Sequence, residues 1–247
     1  MVAKLIFHQI KTFQFLKLEL FFYLMGAIVE VVAIYFFLSF LMGDILKIQS
    51  YEVILVLGIQ RLLVGVSRTF YLNQLLALPV NFRQGLLDRY FLAPINTKLY
   101  YCLDDFSVKD VLNIVVGTVL VIYGLPDINI YSIMKTCILL IMANIILFSG
   151  LLIISSLLAS KVNPGPLNAI FVNIFSLAQF KPEHFPVPFG IVIKFIVPLG
   201  LLIWKPIGLI THSTIQDLSV FFAITLMLYF FQEKAWQWLM YRYNSAS

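Results

Sequence analysis

Charge is scarce in these 247 residues. Only 12% are Asp, Glu, Lys or Arg, about half of the roughly 25% usual in soluble domains. Hydrophobic residues make up 61% and the mean hydropathy is +0.96, which excludes a soluble globular chain. Cysteine is scarcer still: Cys102 and Cys137 are the two present, too few and too poorly placed for a disulfide framework or a metal site. His8, His184 and His212 are dispersed and form no zinc-type spacing. There is no G-x-x-x-x-G-K-[ST] phosphate loop, no G-x-S-x-G elbow and no dinucleotide fingerprint. No basic stripe with interleaved aromatics lies outside the apolar runs, so nucleic acid is not an expected partner. No catalytic residue, metal or bound cofactor is expected in this chain, and any nucleotide energy must come from another one.

What the sequence has instead is long apolar runs. Several are about 20 residues long, the length an α-helix needs to cross roughly 30 Å of hydrocarbon. They are continuous rather than alternating, which excludes a membrane barrel. The expected fold is an all-α integral membrane protein, one transmembrane domain over residues 1–247. Six spans are predicted at 20–42, 51–72, 111–123, 133–158, 167–180 and 218–240. The first is too long for a signal-peptide core and lacks a small-residue cleavage site, so it is read as a retained span. Ahead of it, residues 3–17 set Lys4, His8 and Lys11 opposite Leu5, Ile6 and Ile10, the pattern of an interfacial amphipathic helix or of a cytoplasmic extension of the first span. The stretch 181–212 is apolar but broken by Pro182, Pro186, Pro188, Pro198 and Pro206, which suits a re-entrant outer helical hairpin. Trp236 and Trp238 are expected to anchor the last span at the membrane surface.

Six spans put both termini on one side. Lys47, Lys135, Lys181, Lys194 and Lys205 then fall outside and the other twelve of the seventeen basic residues inside. The positive-inside rule makes both termini cytoplasmic.

Charges within the spans are costly and need a partner or water. Glu30 lies near the middle of the first span and Arg61 well inside the second. As an intramembrane polar pair they would serve either a translocation path or a helix-to-helix clamp. Asp104, Asp105 and Asp110 cluster before the third span and are read as solvated carboxylates at a helix start. A membrane-embedded lipid-modifying enzyme would need that pair Asp104 and Asp105, or His184, as its catalytic groups. A non-transporting scaffold subunit is the other alternative.

One loop stands apart. In VNFRQGLLDRYFLAPIN, residues 80–96, the side chains Phe82, Leu86, Leu87, Tyr90 and Phe91 recur at helical intervals while Arg83, Gln84 and Asp88 face elsewhere. Pro94 ends the pattern. A surface helix over 80–93 is predicted, lying along the cytoplasmic face.

That loop resembles the membrane permease subunits of type-2 ABC exporters, in the six-span branch of similar length. The family pattern R-x-G-x-L-D-x-x-L-L-x-P is matched by Arg83, Gly85, Leu87, Asp88, Leu92 and Pro94, although Ala93 stands where arginine is common. DDFSVKD with Gly117 beyond it, the outer region with Phe185, Pro186, Pro198 and Pro206, and the tail YRYNSAS are similar in the same order. The resemblance implies a bacterial inner-membrane exporter of an amphipathic substrate, working with ABC ATPase subunits that carry ATP and Mg and with a second permease, identical or related. Residues 80–93 would be the coupling helix, with Arg83, Gln84, Gly85, Leu87, Asp88, Leu92 and Pro94 at the ATPase interface.

Overall fold

A computed structural model describes residues 17–45, 50–92, 94, 96–159, 199–211 and 215–243. All its regular elements are helices: α1 (Lys17–Ile45), α2 (Ser50–Phe70), α3 (Leu72–Arg83), α4 (Asp88–Phe91), α5 (Thr97–Leu103), α6 (Val111–Gly124), α7 (Ile130–Ala159), α8 (Leu199–Leu202), α9 (Trp204–Thr211) and α10 (Ile215–Tyr241). Four of them, α1, α2, α7 and α10, are long and apolar enough to cross a membrane. The expected span 111–123 falls on α6, which has 14 residues. The interfacial helix at 3–17 falls, but for Lys17 itself, outside the described residues. So do the span 167–180 and the first part of the re-entrant region. Residues 199–211 of that region form two short helices, α8 and α9, around Ile203.

The helix at the centre is α2. Of its membrane-crossing window 67% is buried, against 6% for α1. The reason is glycine. A Cβ on Gly58 would lie 2.8 Å from the Val121 backbone nitrogen, and one on Gly65 2.8 Å from that of Ile114. Reciprocally, a Cβ on Gly117 would lie 2.7 Å from the Leu62 nitrogen and one on Gly124 3.1 Å from that of Leu55. Pairs of glycines seven residues apart on each helix thus alternate with large side chains on the other, and α2 and α6 run antiparallel with their backbones nearly touching. Small residues at such a seam are how helices associate in lipid, where apolar burial alone gives no preference for protein over hydrocarbon. Around it Leu55, Ile59 and Leu63 of α2 join Leu139 and Ile146 of α7, Ile203, Ile207 of α9 and Phe221 of α10 in the main core.

A second apolar cluster forms at one end of the bundle, where α3, α5, α7 and α10 meet. It holds Leu75, Leu78, Tyr101, Leu152, Trp236 and Leu239. Trp236, expected as a surface anchor, is buried here with its ring 6.2 Å from that of Tyr101. Tyr101 explains the inward turn: its hydroxyl donates to the Gln74 carbonyl at 2.7 Å, accepts from Asn81 at 3.0 Å, and so draws α5 against the end of α3. Asn96 starts α5 by accepting from the Lys98 and Leu99 amides at 3.0 and 3.4 Å, the usual N-cap.

Candidate functional site: an anchored elbow and an intramembrane polar chain

The predicted surface helix over 80–93 is two pieces. α3 ends at Arg83, and Gly85 takes φ +68°. The Leu86 amide donates to the Asn81 carbonyl at 2.9 Å and the Gly85 amide to that of Phe82 at 3.4 Å, the two bonds of a Schellman cap. Left-handed backbone at this place favours glycine, and Gly85 ends the helix there. The chain then turns into α4, giving an elbow instead of a rod.

The elbow is held from three sides. Leu87 and Tyr90 are each 1% exposed and sit in the second cluster. The same helical spacing that suggests a surface stripe carries Leu87 inward, away from the open face. Tyr90 donates to Asp104 Oδ2 at 2.8 Å, Arg89 reaches the same oxygen at 2.8 Å and also donates to the Tyr90 hydroxyl. Burial, reinforced by the Asp104 carboxylate, pushes the Tyr90 hydroxyl up to about 12, so it remains a donor throughout the physiological range. Its contribution is complete below the ordinary tyrosine value near 10 and is lost as pH rises through the raised one. From the C-terminal end, the Tyr243 hydroxyl accepts from the Leu87 amide at 3.2 Å and bonds the Asp88 side chain. Its ring lies 5.6 Å from both Phe82 and Phe91. Arg83 turns back as well, donating to the Ala159 and Leu158 carbonyls at 3.4 and 3.5 Å. A guanidinium at the last carbonyls of α7 favourably meets the negative end of that helix. Cys102 beside the elbow is buried, which pushes its thiol up to about 12 despite the neighbouring Lys98; this is an inert, structural cysteine.

What the elbow presents outward is Gln84, Asp88 and Arg89 around three apolar side chains, Leu86, Phe91 and Leu92. Leu92 is 86% exposed. Pro94 is exposed beside it. Of the residues predicted from the motif, Gln84, Leu92 and Pro94 thus lie on the open face, Arg83 and Asp88 are exposed but committed to intramolecular bonds, and Gly85 and Leu87 shape and seat the turn.

The second constellation lies within the apolar helices. Arg61 Nη2 is 2.8 Å from Glu30 Oε2, and Arg61 Nη1 is 3.4 Å from Asn113 Oδ1. Asn113 Nδ2 donates to the Tyr23 hydroxyl at 2.8 Å, which donates to Asp110 Oδ1 at 2.8 Å; Ser107 donates to Asp110 Oδ2 at 2.6 Å. The chain of contacts runs from mid-helix Glu30 to the start of α6 and ties α1 to the α2–α6 pair. Asp110, expected to be solvated, is 4% exposed, because Tyr23, 87 positions away in sequence, covers it. Asp104 is paired with Arg89, and Asp105 alone of the three is open. Among the described residues no group of three or more His, Cys, Asp and Glu could hold a metal ion.

A family model described as ABC-2 family transporter protein matches residues 24–247. The chain belongs to that family. Comparison with curated proteins and with solved structures gives no match. Membership makes it a multi-pass membrane protein, the permease part of an ABC transporter, whose family works with separate ABC ATPase subunits and has no nucleotide-binding site of its own.

Proposed function

We propose that the permease is the membrane half of an ATP-driven exporter that moves an amphipathic substrate outward or out of the lipid phase, and that its elbow at residues 84–94 receives the ATPase. In this reading the chain sits in a bacterial inner membrane with six spans, a re-entrant outer region at 181–212 and both termini in the cytoplasm. A second permease completes the transporter, and the ATPase carries ATP and Mg. The observation that carries the proposal is the two-sided construction of the elbow: Leu86, Phe91 and Leu92 are exposed, while Leu87 and Tyr90 are locked into the cluster shared by α3, α5, α7 and α10. An apolar patch ringed by polar groups suits a protein partner. A surface anchored in four helices suits transmission, since a push on it moves packed helices together rather than bending a loop.

The test is Leu92→Glu in the permease co-expressed with its ATPase. Losing one exposed apolar anchor at an interface centre is expected to weaken ATPase binding roughly tenfold and to lower permease-stimulated ATP hydrolysis, with helix content and thermal stability of the isolated permease unchanged. Wild-type affinity and stimulation in the variant would remove the elbow from the interface. Arg83→Glu is the less informative variant, because it also strips the carbonyls at the end of α7 of their donor.

A further inference from the structure

A groove of about 680 Å³ opens along one flank of the bundle between α6, α7 and α10. Its wall along α7 runs from Ile133 to Phe148, about 22 Å of helix at about 1.5 Å per residue. That wall is apolar, and its rims Ile122 and Ile141 are exposed, so the groove opens sideways toward the surrounding lipid. The end at Lys98 is different: its ammonium lies 6.0 Å from the Tyr229 ring, and Gln232, one turn further along α10, lines the groove with them.

We propose that this groove binds one phosphatidylethanolamine molecule, an acyl chain lying along α6 and α7 and the zwitterionic head at Lys98 and Gln232. Gln232 is 1% exposed and its Oε1 has no hydrogen-bond partner among the described residues. A buried acceptor left unpaired is costly, and only an N–H or O–H can satisfy it. Asn144, which also lines the groove, turns its Nδ2 to the Leu140 carbonyl at 3.0 Å and makes no bond to Gln232. Lys98 is paired with Glu233, so this end is neutral as a whole. A head of net charge gains nothing from it. A head with both signs places its phosphate at the Lys98 ammonium, which has three N–H donors, and its own ammonium at Gln232 Oε1. Phosphatidylcholine carries the same two charges but no N–H, and phosphatidylglycerol has donors but no cation. The site shares α5 and α10 with the elbow's anchoring cluster but uses none of the elbow's exposed residues and requires no ATPase.

The experiment is native mass spectrometry of the intact purified permease with phosphatidylethanolamine, phosphatidylcholine and phosphatidylglycerol of identical acyl chains. Phosphatidylethanolamine adducts are expected to exceed phosphatidylcholine adducts at least about fivefold, the ratio one hydrogen bond at a buried acceptor gives. Gln232→Leu should abolish that preference, and Leu140→Trp, which fills the apolar wall, should lower binding of the lipid itself. Should Gln232→Leu not fold, a phosphatidylethanolamine with a photoreactive acyl chain replaces it, and cross-links are expected on the α7 peptide containing Cys137. Equal adducts of the three lipids, a preference for phosphatidylglycerol, a preference that survives Gln232→Leu, or cross-links confined to other helices would each overturn the proposal.

Discussion

Gly117→Leu is expected to be the most damaging single substitution in the described part of the chain. The new side chain would start 2.7 Å from the Leu62 backbone nitrogen and 3.0 Å from the Gly58 carbonyl oxygen, and neither can rotate aside. α2 and α6 would have to separate, opening the seam on which the main core is built. A cost on the order of 3 kcal/mol or more follows, the upper end for overpacked cores because backbone rather than side chains must move, and it should appear as loss of folded, detergent-stable protein. Gly150 provides the control, since nothing lies within 4 Å of a Cβ there. Gly150→Ala should stay within about 0.5 kcal/mol of wild type. Equal tolerance of the two substitutions would mean that the helices do not meet at glycine.

The second large effect is at the intramembrane pair. Arg61 is mostly buried, with 12% of its side chain exposed, whereas Glu30 is 59% exposed on a helix whose surroundings are hydrocarbon rather than water. Removing the cation leaves a carboxylate at membrane depth with no counter-charge. Arg61→Leu should therefore cost about 3–5 kcal/mol, measured as thermal stability in detergent or lipid nanodiscs. Glu30→Leu combined with Arg61→Leu should recover much of that loss, because no orphaned charge remains. A double variant less stable than Arg61→Leu alone would contradict the pairing. If the double variant folds, transport separates the two roles: a clamp leaves flux intact, while a polar path loses it.

Much of the architecture is legible because lipid imposes it. Runs near 20 residues identify α1, α2, α7 and α10 by hydropathy alone, and even the short α6 is visible between Asp110 and Pro126. Partnership is much less legible. Gly58 and Gly65, and Gly117 and Gly124, have a readable spacing of seven, but which helix each faces depends on a packing that spacing does not specify. The burial of Asp110 depends on Tyr23, from another helix, and no local pattern announces it. In the elbow the helical period continues across Gly85 in the side chains while the backbone stops. A glycine following Arg83 and Gln84 is a C-cap signal, masked in the sequence by the amphipathic period that runs on across it. Leu87 and Leu92 show the consequence: equal in hydrophobicity, one is seated in a core built from four helices and the other projects.

The most direct measurement of the coupling role is site-specific cross-linking at the tip of the elbow. Leu92→Cys in a Cys137→Ser background, with Cys102 kept because it is buried, would carry a thiol-linked benzophenone in the assembled transporter. Illumination during ATP turnover is predicted to join the permease to the ATPase subunit, with far less product when the same probe is carried by a Tyr123→Cys variant at the opposite end of α6. A complex that copurifies intact and hydrolyses ATP, yet yields no cross-link from position 92 to the ATPase, would contradict docking at the elbow.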